Sequence, residues 1–201
     1  MSKRLLLTLL IVLPGCGGND IGISVPDYNP PSFAQAVVAA ADADSSASLS
    51  KQEAASLPGI ASRWDRYDTD GDGALTIEEI EQRAQKWVDR DVAIGVVGFK
   101  VMHQGRQISQ VSVQLVPEEV HNGAILPGMG ESQEHRDGYF HIPNDLKGEK
   151  WKDRRGIQLG LYRVEVSHPK LDLELENDSL GLDIGRLDEV DPVVIRVKSK
   201  P

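Results

Sequence analysis

Between Asp68 and Glu79 the chain reads Asp-Thr-Asp-Gly-Asp-Gly-Ala-Leu-Thr-Ile-Glu-Glu. Aspartates at alternate positions lead into a glycine, and a glutamate closes the stretch six residues later. No other segment limits the fold so sharply. A hard, flexible cation such as Ca²⁺ prefers about seven oxygens, and a short loop that supplies them has to wrap around the ion. Gly73 permits the sharp turn, because it carries no Cβ to resist a left-handed backbone.

The pattern D-x-D-x-D-G-x5-E resembles the loop of the EF-hand family. That resemblance implies a helix-loop-helix fold with Ca²⁺ as the ion. It also implies a ligand set: the carboxylates of Asp68, Asp70 and Asp72, the Ala74 carbonyl, Thr76 at the often water-mediated ninth position, and both Glu79 oxygens. A weaker copy precedes it, with Asp42, Asp44, Ser46, Ser48, Ser50 and Glu53 at positions 1, 3, 5, 7, 9 and 12. There Ala47 replaces the glycine, at a place where the left-handed conformation costs a Cβ-bearing residue about 1–2 kcal/mol. Ser46 replaces a carboxylate. Two readings stay open for this loop: a weak calcium site, or a hand kept only for pairing. Leu49 and Leu75 both fall at position 8, which in the family forms a short strand joining two hands, so a paired lobe is implied.

Around the loops the apolar spacing is helical. Ser32-Phe33-Ala34-Gln35 has the form of a capping box, followed by Ala-rich helix formers to Ala41. Ile60, Trp64 and Tyr67 predict an amphipathic helix leading into the Asp68 loop, and Ile77, Ile80, Ala84, Trp87 and Val88 predict the helix leading out. Thr76-x-x-Glu79 is a second capping box, so ligation and helix start share residues. The aromatics are expected in the core of this helical part, which spans 32–91.

From Val92 the period changes to alternation. Val97, Phe99 and Val101 alternate, then a turn falls at Gln104-Gly105, and Val111, Val113 and Leu115 follow. Asp137-Gly138 turns into Tyr139-Phe-His-Ile142. Further on come Tyr162, Val164 and Val166, then Leu171, Leu173 and Leu175, and last Val193, Ile195 and Val197. Short strands with turns between them predict an antiparallel sandwich or barrel. Gly98-x-x-Val101, Gly105 with Val111-x-Val113, Asp137-Gly138-x-Phe140 and Gly160-x-Tyr162-x-Val164 resemble the carboxypeptidase regulatory-like, or transthyretin-like, β-sandwich, over about 94–198. Members of that family are non-catalytic accessory or surface modules. The stretches 121–133 and 170–190 are expected as insertions or irregular edges.

The chain begins with Lys3, Arg4 and the apolar run Leu5 to Leu13, which matches the start of a secretory signal peptide over 1–15. A run this short does not span a bilayer as a helix, which needs about twenty residues. Leu13-Pro14-Gly15-Cys16 resembles the lipobox of bacterial lipoproteins. The resemblance implies lipidation of Cys16, export, and anchoring to a bacterial membrane on its periplasmic or cell-surface side. Cys16 is the sole cysteine, so no intramolecular disulfide forms. Residues 16–31, with their glycines and prolines, are expected as a flexible tether. The formal net charge of −9 disfavours nucleic acid and electrostatic attachment to an anionic bilayer. Membrane contact is therefore expected through the lipid.

No catalytic residue is assigned. His103, His121, His135, His141 and His168 lack H-x-x-x-H and H-E-x-x-H spacing and are expected at the surface or in turns. Tyr139, Tyr162, His141 and His168 invite comparison with the iron of β-sandwich intradiol dioxygenases, but the close histidine pair of such sites is missing. Lys147-Gly-Glu-Lys-Trp-Lys-Asp-Arg-Arg155 is the one basic cluster, more often a solvated loop than a ligand surface. The expected fold is α+β, an EF-hand lobe over 32–91 followed by a β-sandwich over 92–201. The expected protein is lipid-anchored and binds calcium without catalysis. Its expected partners are calcium, the membrane through its lipid, and a cell-surface protein or glycan. The alternative is an adhesion module in which calcium is only a structural staple. Division into two domains further predicts that the sandwich melts independently of calcium.

Overall fold

The structure is a computed structural model describing residues 23–152, 154–185 and 192–200. It is mixed α and β, with several antiparallel sheets. The expected signal segment and Cys16 lie outside the described residues. Helix α1 (Pro30–Ala41) begins earlier than its capping box predicts. Pro30, which has no N–H to lose, takes the first turn, and the Asn29 side chain accepts the Ser32 N–H at 3.0 Å. Its buried face carries Phe33, Ala34, Val37, Val38 and Ala41.

Strand β1 (Ser48–Ser50) and helix α2 (Lys51–Ala54) follow. The helix expected to carry Ile60, Trp64 and Tyr67 is broken into α3 (Pro58–Ala61) and a 3₁₀ turn at Trp64–Arg66. Pro58 accounts for the start of α3. It cannot donate into a preceding turn, and it forces Leu57 out of the helical region, to φ −117° and ψ 82°. All three apolar side chains are nevertheless buried. Strand β2 (Ala74–Thr76) then leads into α4 (Ile77–Val88), which opens on the expected Thr76/Glu79 capping box and packs along α1.

The remaining strands are β3 (Gly98–His103), β4 (Arg106–Ile108), β5 (Ser112–Pro117), β6 (Gly128–Glu131), β7 (Gly138–Tyr139), β8 (Gly160–Ser167), β9 (Leu173–Leu175), β10 (Gly181–Ile184) and β11 (Val193–Ser199). One sheet has the order β10-β8-β5-β6, antiparallel throughout. The other has the order β4-β3-β11-β9, with β7 also on β3. Here β11 runs parallel to β3, pairing Val193 with Phe99 and Val197 with His103. Gln104 and Gly105 take the left-handed turn that the β3–β4 hairpin requires. The alternation holds at Phe99, Val101, Val113, Leu115, Tyr162, Val164, Ile195 and Val197, all buried. Leu171 departs from it, exposed and outside β9.

Four expectations change. The stretches expected as insertions or irregular edges contain paired strands, β6, β9 and β10, all at sheet edges, and the glycines of β6 and β10 hide any alternation there. Residues 23–29, read as part of a flexible tether, are packed: Ile23 is buried, the Tyr28 hydroxyl donates to the Leu159 carbonyl at 2.6 Å, and Gln158 Nε2 donates to the Ser24 carbonyl. Ile23 and Tyr28 supply enough apolar surface to hold the segment down. His121, expected at the surface or in a turn, does sit in a 3₁₀ turn but is buried there at 3 % exposure, its ring stacked on Phe33 and set against Tyr28 and Trp87. Last, the boundary at 91/92 is not a gap in packing. A Cβ on Gly181 of β10 would collide with the backbone of Pro58 and Gly59, so α3 lies directly on the sheet. Glu118 accepts the Gly59 N–H at 2.6 Å, and Arg83 of α4 donates to Asp183 Oδ2 of β10 through Nε at 2.8 Å, with Nη2 forming an ion pair to the same oxygen at 2.7 Å. One apolar cluster runs through helices and sheets alike.

Candidate metal centre

The Asp68 loop is shaped by its own amides. Gly71 and Gly73, at loop positions 4 and 6, adopt φ of 74° and 87°. Those left-handed residues curl the backbone so that N–H groups face inward toward the carboxylates. Asp70 Oδ1 accepts the Asp72 N–H at 3.1 Å, and Asp72 Oδ1 accepts the Ala74 N–H at 2.8 Å. Glu79, from the first turn of α4, reaches back across the loop. Its Oε1 accepts the Thr69 N–H at 2.9 Å, and its Oε2 accepts the N–H and hydroxyl of Thr76, both at 3.0 Å. Burial raises the Glu79 carboxyl, but the donors from Thr76 and Thr69 outweigh it and hold the group below its ordinary value.

Asp68, Asp70 and Glu79 each offer one oxygen within 4.8 Å of the others. The fit to a cation rests on a further detail. Asp68 Oδ2 accepts the indole N–H of Trp64 at 2.8 Å, while its Oδ1 is buried without a partner among the described residues. A buried carboxylate oxygen with no donor is costly, and a cation in the loop would satisfy it. Thr76 and Ala74 stand in β2, and Asp72 stays outside the close trio, engaged with the Ala74 amide.

The Asp42 loop repeats this arrangement. Ser45 and Ala47 take the left-handed positions at φ 62° and 63°, without glycine at either. Glu53 plays the part of Glu79: Oε1 accepts the Ala43 N–H at 2.9 Å, and Oε2 accepts the N–H and hydroxyl of Ser50 at 2.8 and 2.7 Å. The Ser50 donors come first among the causes that pull its carboxyl down to about 2. Asp42, Asp44 and Glu53 form the corresponding trio within 4.8 Å. Ser46 does not face it as a free ligand, since its hydroxyl donates to the Ser48 carbonyl at 3.1 Å. Strands β1 and β2 join the two loops antiparallel, with Leu49 opposite Leu75, both fully buried.

No protein-family model, curated protein or solved structure matches the chain. The chemistry is therefore carried by its own residues.

Sequence reasoning placed every loop residue in its loop but missed what supports the Asp68 loop from behind. Trp64 appeared only as a core aromatic, although it stands four residues before the first aspartate, within a turn's reach of it. Arg83 and Asp183, a hundred residues apart, carried no local signal. Glu118 and His121 were equally silent. Burial dominates both: it raises the Glu118 carboxyl to about 7, against the pull of the Gly59 amide, and lowers the His121 imidazole to about 4. His121 Nε2 accepts the Leu161 N–H at 2.8 Å, so its proton resides on Nδ1 and it acts as a core acceptor. The four residues compared with an iron site do not gather as a set: Tyr139 and His141 line one pocket, Tyr162 is buried elsewhere, donating to the Gln158 carbonyl, and His168 accepts the Lys170 and Leu171 N–H groups.

Proposed function

We propose that this chain is an exported, lipid-anchored calcium-binding protein with a binding or structural role and no catalysis. In this reading the helices and loops form an EF-hand pair and the sheets a β-sandwich of carboxypeptidase regulatory-like type. Calcium takes Asp68, Asp70, Asp72, the Ala74 carbonyl, Thr76 and Glu79, and more weakly the Asp42 loop. The observation that carries the reading is the buried Asp68 oxygen without a donor, inside a loop whose glutamate already closes over it. The paired strands and the matching left-handed positions of the two loops support it.

The ion's chemistry would be neutralisation of carboxylates. The chain's own residues do the rest: Glu79 ties the loop to the first turn of α4, and Trp64 orients Asp68. A calcium titration followed by indole fluorescence and calorimetry tests the site. Trp64 is bonded to a ligand carboxylate, so its emission should shift as calcium binds, and Asp68→Asn should abolish both the shift and the tighter heat. A flat titration at millimolar calcium, the range of extracellular modules at about 10⁻⁴–10⁻³ M, would remove the calcium reading. For the anchor, radiolabelled palmitate should enter the wild type and not Cys16→Ser. The second reading, an adhesion module with calcium as a staple, draws on the aromatic and basic surface around Tyr139 and Trp151.

A further inference from the structure

Away from both loops, the residues after β6 and around β7 build a pocket of about 250 Å³. Its origin is local. Tyr139 and His141 alternate with Phe140 and Ile142, which are buried, so the first pair points outward. His141 pairs through its backbone with Met129, and Gly156 donates to the Phe140 carbonyl at 2.9 Å. That pairing brings Arg155 beside β7, with its guanidinium 4.9 Å from the Tyr139 ring centre. Glu131, Gln133, Arg136 and Asp137 complete the wall. Arg136 is aimed by a hydrogen bond from Nε to Gln133 Oε1. Next to the pocket, Trp151 carries Lys150 and Arg154 at 5.8 and 5.7 Å from its ring.

Three features define what this surface fits. The chain is acidic, yet residues 147–155 hold five Lys or Arg against Glu149 and Asp153, and Arg155 of that stretch lines the pocket with Arg136. A guanidinium stacked on an aromatic face keeps its in-plane N–H groups outward, pre-oriented for a planar carboxylate. Beside the arginines stand Glu131, Asp137 and Gln133. The Glu131 and Asp137 carboxylates would repel a bare anion but, with the Gln133 amide, suit a ligand that brings hydroxyl donors along with its charge. Tyr139, at 39 % exposure, adds an apolar ring face. We propose that this pocket binds a carboxylated saccharide, a uronic-acid unit of an acidic polysaccharide, with Arg155 and Arg136 on the carboxylate and Glu131, Gln133 and Asp137 on the hydroxyls. The site is independent of the calcium reading, since it shares no residue with either loop.

The test uses the full chain in micelles of an uncharged detergent, with chelator present so that calcium cannot bridge sugar and protein. Calorimetry with trigalacturonate should give saturable binding with Kd on the order of 10⁻⁴ M, modest because one small pocket is engaged. Maltotriose and inorganic phosphate should bind at least about tenfold more weakly, the scale of one charge-assisted contact. Arg155→Gln should weaken trigalacturonate about tenfold, on the same scale. Tyr139→Ala, which removes the ring beneath Arg155, should also weaken it, whereas Lys198→Gln on β11, outside the pocket, serves as an unaffected control. No saturation, equal binding of maltotriose, equal binding of phosphate, or an unchanged Arg155→Gln would each overturn the proposal. Binding to anionic lipid vesicles in place of trigalacturonate would overturn it in favour of a headgroup site.

Discussion

The Asp42 and Asp68 loops have the same closure and different foundations. In each, the twelfth residue is a glutamate that accepts the second and ninth backbone amides, and in each the fourth and sixth residues are left-handed. The Asp68 loop uses glycine at both left-handed positions, whereas the Asp42 loop forces Ser45 and Ala47 into them. The Asp68 loop also leans on Trp64 and on α4, which Arg83 fixes to β10. Glu79 is buried, and Glu53 is half-exposed. The comparison teaches that carboxylate-to-amide bonding alone draws such a loop shut. Glycine and tertiary backing decide how easily it holds that shape.

The largest expected effect comes from removing the backing. Asp183→Ala leaves Arg83 buried and unpaired, which should cost about 3–5 kcal/mol. The loss should appear in one cooperative transition, seen alike by indole fluorescence and by the sheet's circular dichroism. Calcium at a hundred times its dissociation constant should raise that single transition by about 2.7 kcal/mol. Separate transitions, with the sheets indifferent to calcium, would restore the independent melting that the sequence suggested and reduce the seam to a passive contact.

Next in size is the closing glutamate. Without metal, Glu79→Gln weakens charge-assisted bonds from two amides and two hydroxyls in a buried setting, at a cost of about 1–3 kcal/mol. It should also eliminate the calcium binding proposed for the Asp68 loop. Glu53→Gln, in a more open loop, should cost less and leave that site intact. Equal losses from the two variants would mean that burial does not separate the loops. Smaller again is the backbone term. Gly73→Ala should destabilise by about 1–2 kcal/mol, and Ala47→Gly should recover up to about 1 kcal/mol. Urea midpoints in chelator would measure both, and an Ala47→Gly variant less stable than wild type would refute strain at that position.

The least expected effect is on pH. Glu53 and Glu79 are held below their ordinary values, so the stability they contribute is present above about pH 4.5 and is lost as pH falls, through about 2 for Glu53. Glu118 has the opposite sign. Its carboxyl is raised to about 7, so the folded state keeps its proton while the unfolded state releases it, and stability declines as pH rises from about 4.5 to about 7. Glu118→Gln should flatten that decline and leave the acid limb unchanged. A decline that persists in the variant would assign it to another group.

The sequence by itself determined both loops and their relation. Aspartates, Gly73 and Glu79 at fixed offsets admit few backbone paths, and Leu49 and Leu75 at equal loop positions predicted the strand pair that β1 and β2 form. It also determined the capping box on α4, the Gln104-Gly105 turn and most of the alternating strands, because each depends on residues a few positions apart. Tertiary structure alone decided the rest. The Asp183 carboxylate is inward on a strand with no alternation, since Gly181 lets α3 cover the outer face. Arg83 is buried on a helix because Asp183 waits for it across a hundred residues. His121 and Tyr28 left the polar surface because Phe33 and Trp87 offered rings to pack against. Short-range spacing fixes a loop through its own amides, whereas the burial of a charge depends on partners that only the folded chain brings within reach.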